Sequence, residues 1–247
     1  MVFFEENVEA RAAAKKYVSE QGITNLWYIG SGPDASPILD FESENLNLLI
    51  YQDNMSELMF ASVGGSIESL SKDNRIQDYP PPQIEKLHGA TRTEFQYKVR
   101  GNEQRLIEYC GELCDAQEYI PPEIEALEKV HGGVDLIYTR LLDGPVESIK
   151  TVCVNVLPYL KVGGFLFDLD LLKARAPTVH AQGIVRRGDI QPSEFGFESI
   201  MKGLLIKKRK LNKTKYKSTL DAEKEKLEAF AAAKGLFLPE FFGPIKK

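Results

Sequence analysis

Asn25-Leu26-Trp27-Tyr28-Ile29-Gly30-Ser31-Gly32-Pro33-Asp34 joins a short apolar and aromatic run to a glycine turn. The run predicts a buried strand, and the glycines predict a tight turn at its carboxyl end. Because glycine has no Cβ, a ligand can approach the backbone closely at Gly30, Ser31 and Gly32. The stretch predicts a strand that ends at a ligand site; a tight turn without a ligand is the alternative interpretation.

A second apolar run, from Leu46 to Tyr51, ends in Gln52-Asp53-Asn54. Asp53 follows Gly30 by 23 positions. An acidic residue at the tip of the second strand can accept hydrogen bonds from both hydroxyls of a ribose. Asp53 is therefore a candidate nucleoside-binding residue, and the alternative is an aspartate in a solvated loop.

Strands and helices alternate along much of the chain. Thr93–Val99 and Arg105–Tyr109 flank Arg100-Gly101-Asn102-Glu103, which predicts a hairpin with a Gly-Asn turn. Residues 62–88 are polar and predict an irregular excursion. The other predicted helices cover 5–21, 123–130, 145–160 and 219–234, and the other predicted strands cover 134–138, 165–169, 183–187, 200–209 and 236–242. This alternation predicts a Rossmann-like, doubly wound α/β fold, with a mainly parallel sheet and helices on both faces.

A further pair of motifs narrows this prediction. Val134-Asp135-Leu136-Ile137-Tyr138 predicts a strand, and Leu160-Lys161-Val162-Gly163-Gly164 leads into another strand after a helix. With the glycine turn and Asp53, this order resembles class I S-adenosylmethionine-dependent methyltransferases. In that family an aspartate introduces the fourth strand, and a Leu-Lys-x-Gly-Gly turn leads into the fifth. The resemblance covers about residues 20–170 of a single domain, 1–247, with an insertion near 60–104.

The resemblance implies S-adenosyl-L-methionine as the cofactor. The Gly30-Ser31-Gly32 turn would pass under its methionine and ribose parts, and Asp53 would bind the ribose. Glu112 or, by preference, Asp115 would lie near the adenine amino group.

The tip of the fourth strand, at Tyr138, Thr139 and Arg140, would face the transferable methyl. These three residues are the candidates for catalysis, and no catalytic role is assigned among them. Tyr28 stands where the family often has an acid, and it is counted with the residues that contact the cofactor. Asp34 stands where a third glycine is common.

The segment 202–217 is strongly basic in a chain of net charge −5. It has eight basic residues and no acid: Lys202, Lys207, Lys208, Arg209, Lys210, Lys213, Lys215 and Lys217. Such a segment can bind phosphate backbones near the open end of the sheet. Lys207, Lys208, Arg209 and Lys210 are the predicted substrate contacts, and a solvated strand edge is the equal alternative.

The composition and the absence of certain motifs exclude several other classes of protein. Three cysteines, Cys110, Cys114 and Cys153, argue against a disulfide framework and lack metal-site spacing, so we expect a reducing compartment and no metal. No apolar stretch is long enough to span a membrane, and the N-terminus turns acidic after four residues. We expect a cytoplasmic protein that is not secreted and does not enter membranes. Esterase and phosphate-loop motifs are missing from the sequence.

The predicted function is methyl transfer from S-adenosylmethionine by in-line displacement, with RNA slightly favoured over a small molecule as acceptor. The strand tip has no acid before Asp143, which disfavours methylation of ribose hydroxyls, and it has no Asn-Pro-Pro-Tyr motif for base amines. The alternative is an inactive methyltransferase-like subunit, a structural or binding module of a nucleic-acid assembly with a protein partner. A nicotinamide-dependent enzyme is a third interpretation, but it would require a glycine at Ala35.

Overall fold

The computed structural model describes residues 5–31, 38, 41, 46–53, 60–72, 74–114, 116, 119–139, 155–168, 196–201, 204–210, 225, 229 and 233. Its helices are α1 (Glu5–Ser19), α2 (Phe60–Lys72) and α3 (Pro122–His131). Its strands are β1 (Asn25–Ile29), β2 (Leu48–Asp53), β3 (Gln83–Leu87), β4 (Ala90–Val99), β5 (Asn102–Cys110), β6 (Val134–Thr139), β7 (Leu160–Asp168), β8 (Phe197–Met201) and β9 (Leu204–Lys207).

The strands of this part of the chain form one sheet in the order β3-β4-β5-β2-β1-β6-β7-β9-β8. The five central strands, β5, β2, β1, β6 and β7, are parallel. Antiparallel pairs flank them on both sides. Ranked along the chain, the central strands follow the order 3-2-1-4-5 of a Rossmann-like sheet. The predicted fold class is confirmed.

Two apolar clusters cover the two faces of the sheet. One packs α1 and α2 against the face that carries Tyr28, through residues such as Val18 and Ile67. The other packs α3 against the face that carries Trp27, through Ile124. Neighbouring residues of a strand point to opposite faces, so β1, which is buried along its whole length, serves both clusters.

Several predicted elements are confirmed. The hairpin of β4 and β5 is confirmed, but its turn is Arg100-Gly101, one residue before the predicted Gly-Asn pair. Both turn residues have positive φ angles, 51° and 84°, as a two-residue hairpin turn requires. Pro122 begins α3, and Gly132 ends it in a left-handed conformation with φ of 75°.

Other predictions were wrong in detail. Residues 62–72 form most of α2, and 83–87 form β3, so the polar stretch 62–88 is not irregular throughout. The interval 200–209 is divided between β8 and β9, which pair as a hairpin. Leu160 to Gly164 lie inside β7, where they form a bulge beside β6 instead of a turn before the strand. The predictions for 145–154, 183–187 and 236–242, and for nearly all of 219–234, lie outside the described residues.

Candidate functional site

The glycine turn lies at the carboxyl end of the parallel strands. Gly30 has φ of 68°, which favours glycine, and its N–H donates to the Gln52 carbonyl at 2.9 Å. Ser31 is only 1% exposed. Its Oγ has no hydrogen-bond partner among the described residues. The predicted third residue of the turn, Gly32, lies outside them.

Asp53 lies beside this turn, as the sequence predicted. Ile29 pairs with Gln52 in register, so Gly30 and Asp53 are the next positions on two adjacent parallel strands. Asp53 is partly exposed, and its backbone carbonyl accepts a hydrogen bond from Gly111 N at 3.2 Å. The structure therefore brings together the glycine turn and the acid at the end where α/β sheets bind ligands.

Gln52 holds this region together, and the sequence analysis assigned it no role. Its side-chain carbonyl accepts from Trp27 Nε1 at 3.0 Å. Its Nε2 donates to the carbonyls of Cys114 at 2.8 Å and Tyr119 at 2.9 Å. The sequence feature that could have revealed this role is the polar Gln52 within an apolar strand, directly before Asp53.

Glu108 is a second carboxylate near Asp53 that the sequence analysis missed. It pairs in register with Tyr51 on β2 and Thr93 on β4. It is 2% exposed, and within the described part of the chain its Oε2 has no hydrogen-bond partner. Burial, with the added charge of Asp53, raises the pKa of Glu108 to about 8.

The two predicted tyrosines belong to an aromatic row across the sheet. Tyr28 and Tyr138 are fully buried, and their ring centroids are 4.6 Å apart. The Tyr28 ring also meets the Tyr51 ring edge-on at 5.1 Å. In this structure both tyrosines pack in the core, so neither presents an open surface to a ligand. Thr139, at the end of β6, is 5% exposed, and Arg140 lies outside the described residues, as does Asp115.

Asp135, one mark of the family resemblance, lies at the amino end of the parallel strands, opposite the glycine turn. Its Oδ2 accepts from Thr24 N at 2.8 Å, Thr24 Oγ1 at 2.6 Å and Asn25 N at 3.0 Å, and its Oδ1 pairs with Lys161. Burial opposes ionisation, but the hydrogen bonds from Lys161 and Thr24 outweigh it and hold the pKa of Asp135 below its usual value. Asp135 thus has a structural role, as does its partner Lys161, which belongs to the Leu-Lys-Val-Gly-Gly motif.

Lys207 differs from its predicted role as a substrate contact. It is 2% exposed, and its ammonium donates to the carbonyls of Leu157 at 3.0 Å, Pro158 at 3.3 Å and Leu160. A cation engaged in this way cannot bind a phosphate on the surface. Burial, together with the charge of Lys210, lowers the pKa of Lys207 to about 8.

The remaining predicted basic contacts are exposed but lie elsewhere than expected. Lys208, Arg209 and Lys210 follow Lys207 at the end of β9, which runs antiparallel to β7. They therefore lie at the amino end of the parallel strands, and not at the open end that carries the glycine turn. Lys208 pairs with Glu198 at 3.2 Å. Residues 211–217 fall outside the described ranges.

The described cysteines, Cys110 and Cys114, are both buried. Burial raises the pKa of Cys114 to about 11, so its thiol is protonated at neutral pH. Among the residues with described positions, no group of three or more histidine, cysteine or acidic side chains could hold a metal ion. None of the described helices combines the length and apolar character needed to cross a bilayer.

No family model and no curated protein matches the sequence. Among solved structures, the chain is similar to a protein from Staphylococcus aureus assigned as a caffeoyl-CoA O-methyltransferase. The two share 15% sequence identity and a TM-score of 0.43, over 79% of this chain and 80% of that one. A similarity at this level carries no argument about activity, and the fold class rests on the strand order.

Proposed function

We propose that the chain binds S-adenosylmethionine at the glycine turn and is a methyltransferase. The observation that carries the proposal is the Ser31 hydroxyl, which is buried without a partner in the described structure, beside Gly30 and the carboxylate of Asp53. Buried polar groups are rarely left without hydrogen bonds, and those that are call for an explanation such as a missing ligand. A ribose and an amino-acid group supply hydroxyls and charged atoms that can form hydrogen bonds with the Ser31 hydroxyl and the Asp53 carboxylate.

The chemistry of the residues fits such a cofactor. An ionised Asp53 accepts two hydrogen bonds, which matches the paired hydroxyls of a ribose. Gly30, with no side chain, leaves its backbone open to close approach. The bound cofactor supplies an activated methyl group, so the protein mainly holds the two reactants in line. Because the catalytic candidates Tyr138 and Thr139 are buried in this structure, the proposal assigns no general base.

Calorimetry with S-adenosylmethionine and its demethylated product tests the proposal. We expect measurable binding, and we expect Asp53→Ala to weaken it by about 1–3 kcal/mol because ribose hydroxyls would lose their acceptor. Asp78→Ala is the matched control, since Asp78 is an exposed acid in an ion pair with Lys98. No heat from the wild-type protein at millimolar ligand would overturn the proposal, and equal losses in both variants would remove Asp53 from the site.

RNA is the proposed methyl acceptor, and the exposed cations Lys208, Arg209 and Lys210 support it. Because they lie at the amino end of the sheet, they would serve as a docking contact and not as the site of methyl transfer. Titration of labelled RNA at two salt concentrations should show affinity that falls steeply with salt. Replacing these three residues by alanine, with Lys207 retained, should flatten that dependence. If wild-type protein binds no RNA at low salt, a small-molecule acceptor becomes the better proposal.

An inactive, methyltransferase-like binding module is the second candidate. Tyr28 favours it, because this residue is packed between Tyr51 and Tyr138 in the position where related enzymes often carry an acid. The calorimetric experiment separates the two candidates, since a module of this kind would bind RNA or protein without binding cofactor.

A further inference from the structure

One buried residue, Gln52, is bonded to the glycine turn through its backbone and to the connection after β5 through its side chain. It is 1% exposed and is the penultimate residue of β2, directly before Asp53. Its backbone carbonyl accepts from Gly30 N at 2.9 Å, so it fixes the start of the glycine turn. Its side-chain amide binds Trp27 on one side and the carbonyls of Cys114 and Tyr119 on the other.

The two carbonyls bound by Nε2 belong to the connection between β5 and α3. Apart from a single helical turn over Glu112–Cys114, this connection has no regular structure in its described part. The carbonyls of Cys114 and Tyr119 bracket positions 115–118, so one amide group fixes both ends of this short stretch relative to β2. In Rossmann-like sheets, the connection after the third strand lies at the ligand end, as this one does.

The amide chemistry is specific to glutamine at this position. Both Nε2 protons are donated to carbonyls, and Oε1 accepts from an indole N–H, so the group is satisfied without help from solvent. A glutamate would turn a carboxylate oxygen toward two carbonyl oxygens. A methionine would keep the volume but leave both carbonyls and the indole without their partners, at a cost to the connection that they anchor.

We propose that Gln52 is the positioning residue of the nucleoside site. It holds Gly30, Asp53 and the backbone at Cys114 and Tyr119 at a fixed spacing around the position where the nucleoside would bind. Gln52 itself does not touch the ligand. The inference rests on the proposed function, because it assumes that a nucleoside cofactor binds at this end of the sheet.

The chain contains its own reporter of this arrangement. Trp27 is the single tryptophan of the sequence and is fully buried, and its Nε1 is the group that donates to Gln52. A ligand that presses on the connection or on the glycine turn moves the hydrogen-bond partner of the indole. Ligand binding is therefore expected to change the tryptophan emission through Gln52.

The test compares Gln52→Met with Ile50→Ala. Ile50 lies two positions earlier on β2, and it is fully buried beside its register partner Trp27 in the apolar cluster of the same face. Its truncation therefore weakens the core around Trp27 without removing any hydrogen bond of the Gln52 amide. Binding of S-adenosylhomocysteine is measured by calorimetry and by Trp27 emission, at a temperature where unfolding curves show all variants folded. We expect Gln52→Met to lose about 10-fold or more in affinity, equivalent to one or more broken hydrogen bonds. We expect Ile50→Ala to stay within about 3-fold of wild type, because a folded core holds the site in place.

The emission signal distinguishes positioning from a general loss of stability. In wild-type protein and in Ile50→Ala, the change in emission should follow the calorimetric saturation curve. In Gln52→Met the change should be lost even at saturating ligand. Should Gln52→Met fail to fold, Gln52→Asn takes its place, since it keeps the amide but is one methylene too short to reach both carbonyls.

The outcomes separate the two proposals. If wild-type protein binds no S-adenosylhomocysteine, the proposed function fails, and the positioning role fails with it. If wild-type protein binds and Gln52→Met binds within 3-fold of Ile50→Ala with the same emission change, Gln52 is only a structural residue and the proposed function stands.

Discussion

At the amino end of the parallel strands, Asp135 accepts three hydrogen bonds and an ion pair, and Lys207 donates to three carbonyls. At the carboxyl end, the Ser31 hydroxyl and one oxygen of Glu108 have no hydrogen-bond partner in the described structure. Both ends carry buried polar groups, so burial alone does not separate stabilising residues from functional ones. The difference is in the hydrogen bonds that the buried groups make.

The contrast has a physical basis. A buried polar group with all its hydrogen bonds made stabilises the fold modestly, whereas one without a partner costs stability. Ser31 and Glu108 carry that cost in the free state, and it is recovered if a ligand supplies the bonds. Replacement of Ser31 or Glu108 should therefore change stability in the opposite direction from replacement of Asp135 or Lys207.

Asp135→Ala should give the largest effect. It removes the acceptor of the Thr24 and Asn25 donors and leaves Lys161 without its partner, so the free energy of unfolding should fall by about 3 kcal/mol. Because the folded pKa of Asp135 is lowered, this contribution is present above the unfolded value of 3.8 and is lost as pH falls through the folded pKa. Urea unfolding at pH 7 and at low pH measures both.

The control for that experiment is Glu68→Ala, which removes an exposed ion pair with Lys72 in α2 and should change stability little. A loss at Asp135 no larger than at Glu68 would contradict the view that Asp135 stabilises the amino end.

Lys207→Met should cost about 2 kcal/mol at neutral pH, because the Leu157, Pro158 and Leu160 carbonyls would remain buried without a donor. The folded pKa of Lys207 is about 8, below the unfolded value of 10.5. Between these values the unfolded chain binds more protons, so the stability of the wild type relative to the variant should rise with pH. Thermal unfolding from pH 7 to 10 tests the slope. Lys208→Met, on the exposed neighbour, is expected to have neither effect.

Glu108→Gln should stabilise the protein, the opposite of the first two substitutions. Between pH 4.5 and about 8 the folded chain retains a proton that the unfolded chain has released, so stability falls as pH rises. Glutamine removes this dependence, and the variant should gain about 1–2 kcal/mol at pH 8 and nothing at pH 4.5. Glu103→Gln, at an exposed position of the same strand, is the control, and its free energy of unfolding should stay close to that of the wild type at both pH values. A destabilised variant at pH 8 would mean that Glu108 is satisfied in solution.

Ser31→Ala should have the smallest effect on stability, a change of less than about 1 kcal/mol in the direction of a gain, since the hydroxyl lost has no partner. The same substitution should weaken cofactor binding measured by calorimetry. Ser199→Ala, at an exposed position of β8, should change neither quantity. A clear loss of stability at Ser31 without any loss of binding would make the carboxyl end structural, like the amino end.

Much of the fold was predictable from local patterns. The apolar runs at 25–29, 46–51 and 134–138 are confirmed as strands, and 93–109 as a hairpin whose turn lies one residue earlier than predicted, because burial and turn chemistry depend on neighbours in sequence. The adjacency of Gly30 and Asp53 followed from the order of strands in a parallel sheet. The helix over 60–72 was missed because its Gly64-Gly65 pair and polar residues interrupt the helical pattern, while Ile67 is buried by packing that the sequence does not display.

Sequence alone thus determined the alternation of strands and helices and the location of the glycine turn and Asp53, since these depend on local composition. The tertiary structure decided what each polar residue does. Asp135 was predicted only as a mark of the family resemblance and Lys207 as a substrate contact, and both make internal bonds at the amino end. Gln52 and Glu108 were given no role from the sequence, and both lie near the candidate site. A side chain's role depends on which groups surround it, and long-range packing, not spacing along the chain, sets those surroundings.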